Sequence, residues 1–331
     1  MNLATLMKVI AKEYTFHIYH IVPFENGYLA ETNVGRKRIS IWKEKRVVNF
    51  SFTWREKLAE NGFRQVDRFI RTRDGSPYVK VEDEYVVVQD VFQGEKLSLA
   101  TKKEWQHLGS ILGALFHNCR HASETLLNQG STVATGVDLG EKRIANLENL
   151  REYKKILYRQ EDNTFTLLAK THWRSIEQRA RHAIILLKMH PQQLSLLPSS
   201  IDLGQFIWLE KDCLSYSTTS QFVVHSLWGM GELMKKLYEE KNPRIEELEL
   251  FYQGFEQESG ISLEEQYSLL AALIFPARFL SILTQFHEGK WNEQECVEAW
   301  MRECEKQDKL DQVQVWFARH LDRVREGRAT L

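Results

Sequence analysis

The apolar residues of this 331-residue chain change their spacing near Gly94. Before that point, short β-favouring runs such as NGYLAET, RKRISIW and YVVVQDV are separated by turn residues, as in NVG and EDE. After it, apolar residues recur at helical spacing, as in KEWQHLGSILGALFHNCRHAS. The sequence therefore predicts a strand-rich amino-terminal lobe over residues 1–93 and a larger helical lobe over residues 94–331.

Each lobe can be predicted in more detail. We expect the first lobe to hold a five-stranded antiparallel sheet and one helix, at residues 53–61 within FTWREKLAENGF. The second lobe should form helices at THWRSIEQRARHAIILLKM, VVHSLWGMGELMKKLYEE, SLEEQYSLLAALIFPARFLSILTQF, WNEQECVEAWMRECEKQ and LDQVQVWFARHLDRV. Ser262 and Glu265 form a capping-box pattern, and Pro276 should divide the helix that they begin. The segment STVATGVDLGEKR predicts a loop in this lobe.

Composition and charge argue against several function classes. The formal net charge of −1 gives no positive field that would favour nucleic acid. No run of about eighteen consecutive apolar residues exists, so we expect no transmembrane segment, and the first residues lack the pattern of a secretory signal. The four cysteines form no Cys-x-x-Cys pair, and no glutamate stands between His117 and His121 as in an HExxH helix, so we expect no metal site.

Four segments resemble one protein family in the same order along the chain. They are FENGYLAETNVGRKRISIW, YVVVQDVFQGEKLSL, LGSILGALFHNCRHAS and ISLEEQYSLLAALIFPARFLSIL. Together they resemble the aminoglycoside-phosphotransferase-like kinases, and more narrowly the spore coat kinase-like proteins of the CotS group, YutH branch. The resemblance implies an α+β, two-lobed protein-kinase-like fold, in which a small antiparallel β lobe with one helix precedes a larger, mostly helical lobe. It also implies a bacterial protein that is made in the cytoplasm, located in the spore coat and bound to other coat proteins.

The same resemblance extends to the segment SSIDLGQFIWLEKDCLSYSTTSQ, residues 199–221. Active relatives carry a phrase like HGDLHPGNFLW here, and aligning QFIW with NFLW places Ser200 at the catalytic Asp and Gln205 at the magnesium-binding Asn. The second magnesium-binding Asp then falls near Ser217. A neutral serine is a poor base, and loss of the Asp removes the strongest charge on the cation. The resemblance therefore implies a degenerate catalytic loop.

Two acids near these positions leave an alternative open. Asp202 lies two residues after Ser200, and Asp212 precedes the Ser/Thr run. A shifted loop would bring either carboxylate towards a magnesium ion. An isolated Asp is more often solvated or used as a cap, so the motif favours Asp202 only as a second choice for catalysis.

The resemblance also indicates residues that would contact a nucleotide. Counting from Gly35 puts Ser40 where the family has a strand lysine, and Glu56 is the helical carboxylate that would pair with such a lysine. Val91 and Phe92 fall in the hinge and would line the cleft between the lobes. An exposed helical carboxylate is the simpler interpretation of Glu56.

Three hypotheses on function follow. The leading one is a spore-coat pseudokinase with no enzymatic activity, which acts as a structural, assembly or binding component. It needs no cofactor, and we expect Mg-ATP to bind weakly if at all. The rivals are an active small-molecule phosphotransferase that uses displaced acids, and a nucleotide- or sugar-binding sensor without phosphotransfer. A small-molecule ligand is compatible with each hypothesis. The sequence indicates neither the identity of such a ligand nor the oligomeric state.

Overall fold

The structure is a computed structural model, and it describes residues 2–24, 27–128, 147–190, 195–198, 204, 206–210, 213–216, 222–225 and 227–327. The chain forms two compact units. The first comprises Met1–Thr135, Ser195–Val224 and Gly254–Ser259, and the second comprises Gly136–Leu194, His225–Gln253 and Gly260–Leu331. Both units are discontinuous in sequence, and the predicted boundary at residue 93 stays a prediction.

A five-stranded antiparallel sheet occupies the first unit, in the order β1-β2-β3-β5-β4. This confirms the predicted sheet. Its register is set at the β2–β3 turn, where Thr32 lies opposite Gly35, and alternate residues of β3 then face opposite sides. The strands are β1 (Ile18–Phe24), β2 (Gly27–Thr32), β3 (Gly35–Trp42), β4 (Val79–Val81) and β5 (Glu84–Asp90).

Two helices pack on opposite faces of this sheet. Helix α1 (Leu3–Glu13) was not predicted; it buries Leu6 and Ile10 against Ile39, and the side chain of Asn2 caps it. Helix α2 (Lys45–Glu60) starts at Lys45 rather than at residue 53. No side chain caps its start, which explains why the sequence did not reveal that end.

Outside this sheet and its two helices, the described part of the first unit contains one long helix, α3 (Lys102–Asn128), several short strands, and the residues Gly254–Ser259, which end a later helix. Strand β6 (Glu95–Lys96) pairs with β8 (Phe206–Glu210), which pairs with β9 (Cys213–Tyr216). Strand β7 (Ser195–Pro198) neighbours β10 (Phe222–His225). The run VVH, predicted as the start of a helix, thus belongs to β10, because β-branched valines favour a strand.

Seven further helices are described, α4 to α10. Pro276 separates α8 from α9 as predicted, and the capping box of Ser262 and Glu265 is present. The two helices predicted at the carboxyl end are one continuous helix, α10, and the sequence patterns did not reveal α4 or α7. The bounds are α4 (Leu147–Arg159), α5 (Thr164–Met189), α6 (Trp228–Lys241), α7 (Ile245–Ser259), α8 (Leu263–Ile274), α9 (Ala277–His287) and α10 (Glu293–Arg325). The loop predicted at STVATGVDLGEKR lies outside the described residues.

No single helix in the described part of the chain is long and apolar enough to cross a membrane. The pair α8 and α9 passes that test only when both helices are taken together, and the two are bent by 43° at their break. Most residues of α8 are buried within the protein.

Candidate functional site

The predicted catalytic positions flank a described β-hairpin. Ser200, Asp202, Gln205 and Ser217 lie outside the described residues, as does Asp212. The hairpin itself is formed by β8 and β9, whose first and last residues, Phe206 and Tyr216, are paired. Phe206 is fully buried. The fold therefore anchors the two strand ends next to the predicted positions, and the roles assigned to those positions stay predictions.

The segment with Val91 and Phe92 leads from the small sheet to this hairpin. Both residues are half-buried and follow β5, and the Val91 amide donates to the Arg36 carbonyl at 3.3 Å. Two residues later, Gly94 lies against β8: a Cβ atom built there would be 1.6 Å from the Trp208 carbonyl oxygen. Only a glycine allows this approach, and it lets β6 pair with β8.

Strand β3 presents Ser40, not a lysine, towards α2. Ser40 lies opposite Val87, which packs in a cluster with Val48 of α2, and its side chain is buried. Two arginines of β3 share this face. Arg36 pairs with Glu31 at 3.2 Å, and the Arg38 guanidinium lies 5.6 Å from the centre of the Phe24 ring. Ser40 therefore faces α2 from β3, and its assignment to the position of the family's strand lysine stays a prediction.

Lys37 is directed to the opposite face of the sheet. It shares that face with Ile39, which packs against α1, and only 5% of its side chain is exposed. Its ammonium group donates to Asp90 Oδ1 at 2.7 Å and to the Val34 carbonyl at 2.6 Å. Lys37 thus ties the β2–β3 turn to the end of β5 and does not replace the missing lysine.

The carboxylate of Glu56 is occupied by two arginines. Arg68 Nη2 lies 2.5 Å from Glu56 Oε1 and Arg71 Nη2 lies 2.7 Å from Oε2. Partial burial opposes ionisation of Glu56, but hydrogen bonds and charge from these arginines outweigh it and hold the pKa of the carboxyl below its ordinary value. Glu56 is therefore ionised and paired with Arg68 and Arg71. It is not the exposed helical carboxylate that the sequence suggested, and in this structure it does not pair with a lysine of β3.

Next to Glu56 in sequence, Arg55 forms a buried polar network that the sequence did not indicate. Its Nε donates to the Asp67 carbonyl at 2.8 Å, and its Nη2 lies 3.5 Å from Asp67 Oδ1. Gln89 Nε2 donates to Asp67 Oδ2 at 2.6 Å, and Ser51 accepts from Arg55 through both its carbonyl and its hydroxyl. The buried charge that α2 brings to the sheet is thus a cation. No short motif could have revealed this, because Asp67 lies 12 residues further along the chain.

These side chains limit what the small sheet can do chemically. Protein kinases position the nucleotide phosphates with a lysine on their third strand that pairs with a helical glutamate. In the described part of this sheet, Ser40 faces α2 and Glu56 is paired with two arginines. The assignment of Ser40 and Glu56 to the nucleotide-binding positions stays a prediction. Within the same described residues, no group of three His, Cys, Asp or Glu side chains is placed to hold a metal ion.

Comparison with known proteins identifies the fold. No protein-family model matches the sequence, and no curated protein matches it. Solved structures do match. An aminoglycoside phosphotransferase from Alicyclobacillus acidocaldarius is similar with a TM-score of 0.74 at 13% identity, over 95% of this chain and 96% of that chain. A spectinomycin phosphotransferase, solved with ADP and spectinomycin, gives 0.57 at 13% identity over 92% and 94% of the two chains.

Choline kinase LicA from Streptococcus pneumoniae is a third similar structure, with a TM-score of 0.50 at 12% identity over 92% of this chain and 97% of that chain. Identities this low show the fold alone. The predicted α+β, kinase-like fold of the aminoglycoside phosphotransferases, with a small antiparallel sheet and a larger helical part, is thereby confirmed. None of these proteins is named as a spore coat protein, so the CotS and YutH branch stays a prediction.

Proposed function

We propose that this chain is a kinase-fold protein that has lost phosphotransfer and serves as a binding or assembly component of the bacterial spore coat. One observation carries the loss of chemistry. In the described small sheet, Ser40, which the resemblance assigns to the strand lysine, faces α2, while Arg68 and Arg71 hold the carboxylate of Glu56. The sequence supports the same conclusion independently, through the neutral residues Ser200 and Ser217.

The placement in the spore coat rests on the four sequence segments that resemble the CotS group. The resemblance also implies that the chain is made in the cytoplasm and then assembles with other coat proteins. An extract of purified spore coats that lacks the chain by immunoblot would contradict this placement.

An active small-molecule phosphotransferase is the second candidate. The names of the similar structures favour it, since they include phosphotransferases for spectinomycin and other aminoglycosides and a choline kinase. It would require Asp202 or Asp212 to take over the magnesium ion.

Calorimetric titration of the full chain with ATP, in the presence and absence of magnesium, separates the two candidates. We expect no saturable binding at millimolar nucleotide, because a lysine–glutamate pair and a metal carboxylate are both missing from their expected positions. The same protein incubated with Mg-ATP and with choline or spectinomycin as acceptor should release no ADP.

Tight binding that depends on magnesium, together with ADP release, would show that the protein is an enzyme. Tight binding without ADP release would instead support the nucleotide-binding sensor. The positive control is a matched titration of an active choline kinase under the same conditions.

A further inference from the structure

The second unit contains a cleft lined by several charged side chains. It has a volume of about 330 Å³ and is lined by α6, by the junction of α8 and α9 at Phe275 and Pro276, and by α10. Cavities that bind small ligands measure about 300–1,000 Å³. The cleft is therefore at the small end of that range and would suit a compact ligand.

Most charges in the cleft are paired within the protein. Lys235, which is buried, donates to Glu232 Oε1 at 3.0 Å and to the Phe275 carbonyl at 3.0 Å. On the other wall, Lys306 donates to Glu239 Oε2 at 2.7 Å. These contacts neutralise two of the lysines and two of the glutamates that line the cleft.

One carboxylate in the cleft has no such partner. Glu303 of α10 is only 8% exposed, and among the described residues it forms no hydrogen bond or ion pair. Burial raises the pKa of its carboxyl, repulsion from Glu239 adds to the rise, and Lys306, Arg278 and Lys235 oppose it. A buried carboxylate without a partner is costly to a fold unless something supplies a hydrogen-bond donor.

One cation in the cleft also lacks a carboxylate partner within the described part of the chain. Arg278 of α9 is exposed, and its guanidinium lies 5.6 Å from the centre of the Trp291 ring. A further lysine of the cleft, Lys236, lies 3.8 Å from Glu240. Of the described charges that line the cleft, one buried anion and one exposed cation thus have no ion-pair partner.

We propose that this cleft binds a small zwitterion, whose ammonium group donates to the Glu303 carboxylate and whose carboxylate accepts from the Arg278 guanidinium. Such a ligand supplies each unpaired group with a charge-assisted hydrogen bond. An amino acid or a related amino carboxylate has this chemistry. The inference does not depend on the proposed function, because the residues that line the cleft belong to the second unit and the small sheet belongs to the first.

Titration calorimetry of the full chain tests the proposal with amino carboxylates of increasing length: glycine, β-alanine, γ-aminobutyrate and ε-aminocaproate. The length that binds best reports the span between the two charged groups. We expect at least one of them to bind with a millimolar or lower Kd. Glu303→Gln and Arg278→Gln should each weaken that binding about tenfold or more, since each removes a charge-assisted contact.

The matched control is Glu305→Gln, which removes an exposed carboxylate from the same helix outside the cleft and should leave the Kd unchanged. Circular dichroism confirms that each variant is folded. The proposal is wrong if none of the four compounds binds at millimolar concentration, or if binding survives Glu303→Gln. It is equally wrong if inorganic phosphate binds and the amino carboxylates do not, since the cleft would then be an anion site.

Discussion

Two buried charged side chains of this protein, Arg55 and Glu303, differ in whether the fold supplies a hydrogen-bond partner. Arg55 has acceptors from Ser51 and Asp67, so its charge is compensated inside the first unit. Glu303, in the second unit, has no hydrogen-bond partner among the described residues. Breaking a buried pair costs about 3–5 kcal/mol because an uncompensated charge remains. Glu303 already lacks such a partner among the described residues, so neutralising it should remove a desolvation cost and break no hydrogen bond.

The difference in stability between a Glu303→Gln variant and the wild type should therefore depend on pH. The folded chain holds the Glu303 proton more tightly than the unfolded chain, since burial raises the pKa of this carboxyl above its ordinary value of 4.5. The penalty for ionisation is thus fully present above the folded pKa and is lost as pH falls below 4.5. We expect the variant to be more stable than the wild type at pH 7 and the advantage to vanish in acid.

Urea denaturation of both proteins across this pH range provides the measurement. Groups that surround Glu303, namely Glu239, Lys235, Arg278 and Lys306, are common to both proteins, so their titration cancels to first order in the difference. Glu305→Gln should show no such pH-dependent advantage. A Glu303→Gln variant that is less stable than the wild type at pH 7 would show that the carboxylate has a stabilising partner.

The spacing of apolar residues predicted which parts of the chain form strands and helices better than it predicted where the helices begin and end. The β-favouring runs NGYLAET, RKRISIW and YVVVQDV predicted β2, β3 and β5, whereas no run predicted β1. Pro276 divides α8 from α9 because proline disrupts a helix. Helix α1 was not predicted although Leu3, Leu6 and Ile10 have helical spacing, because its 11 residues are about the shortest window in which spacing indicates a helix. Helix α10 is continuous because no Gly or Pro interrupts residues 293–325.

Several contacts of the candidate site join residues that are distant in sequence, and the sequence did not predict them. The sequence indicated Ser40 only by counting from Gly35 along the family pattern, and the face that Ser40 occupies became known from the register of β3 with β5. The partners of Glu56 were not predictable, because Arg68 and Arg71 lie 12 and 15 residues further along the chain and reach it only through the fold. The cleft around Glu303 joins three separate helical segments, so no local pattern marks it.

The pairing of β6 with β8 should depend on Gly94. In a Gly94→Ala variant the new methyl group would lie 1.6 Å from the Trp208 carbonyl oxygen, so the strands must separate. Overpacking of this kind costs about 1–3 kcal/mol. Denaturation should show that loss of stability, and amide hydrogen exchange should become faster at Lys96 and Ile207, which are paired in the wild type.

Gly289→Asn is the matched control for that substitution. Gly289 has a φ of +65° and no atom within 4 Å of its would-be Cβ, and asparagine tolerates this conformation. Its effect should stay within about 0.5 kcal/mol. If Gly94→Ala is as mild as the control, β6 and β8 approach each other less closely than the structure indicates.

The fold of this protein is separable from the chemistry of phosphotransfer. The chain matches an aminoglycoside phosphotransferase structure over 95% of its length at 13% identity. The fold persists because it requires only strand alternation and amphipathic helices, which many sequences satisfy. Phosphotransfer requires particular side chains at a few positions that are distant in sequence, and those positions can change without loss of the core.

If the proposed loss of phosphotransfer is correct, placing the family's side chains at these positions should create magnesium-dependent nucleotide binding. The triple variant Ser200→Asp, Gln205→Asn and Ser217→Asp replaces three neutral side chains by two acids and a shorter amide. If the alignment with the family is correct, magnesium-dependent ATP affinity should rise about tenfold or more, since each charge-assisted contact contributes about 1.5–3 kcal/mol. Titration calorimetry with and without magnesium measures the gain, and turnover is not required.

Two further variants make this outcome decisive. Adding Ser40→Lys to the triple variant should give no additional affinity, because the Glu56 carboxylate is already held by its two arginines. Asp202→Ala in the otherwise unchanged protein should leave nucleotide binding as it is. If the triple variant shows no gain while Asp202→Ala abolishes a measurable ATPase activity, the family alignment is displaced by two residues. Asp202 would then be the catalytic carboxylate and the protein an active enzyme.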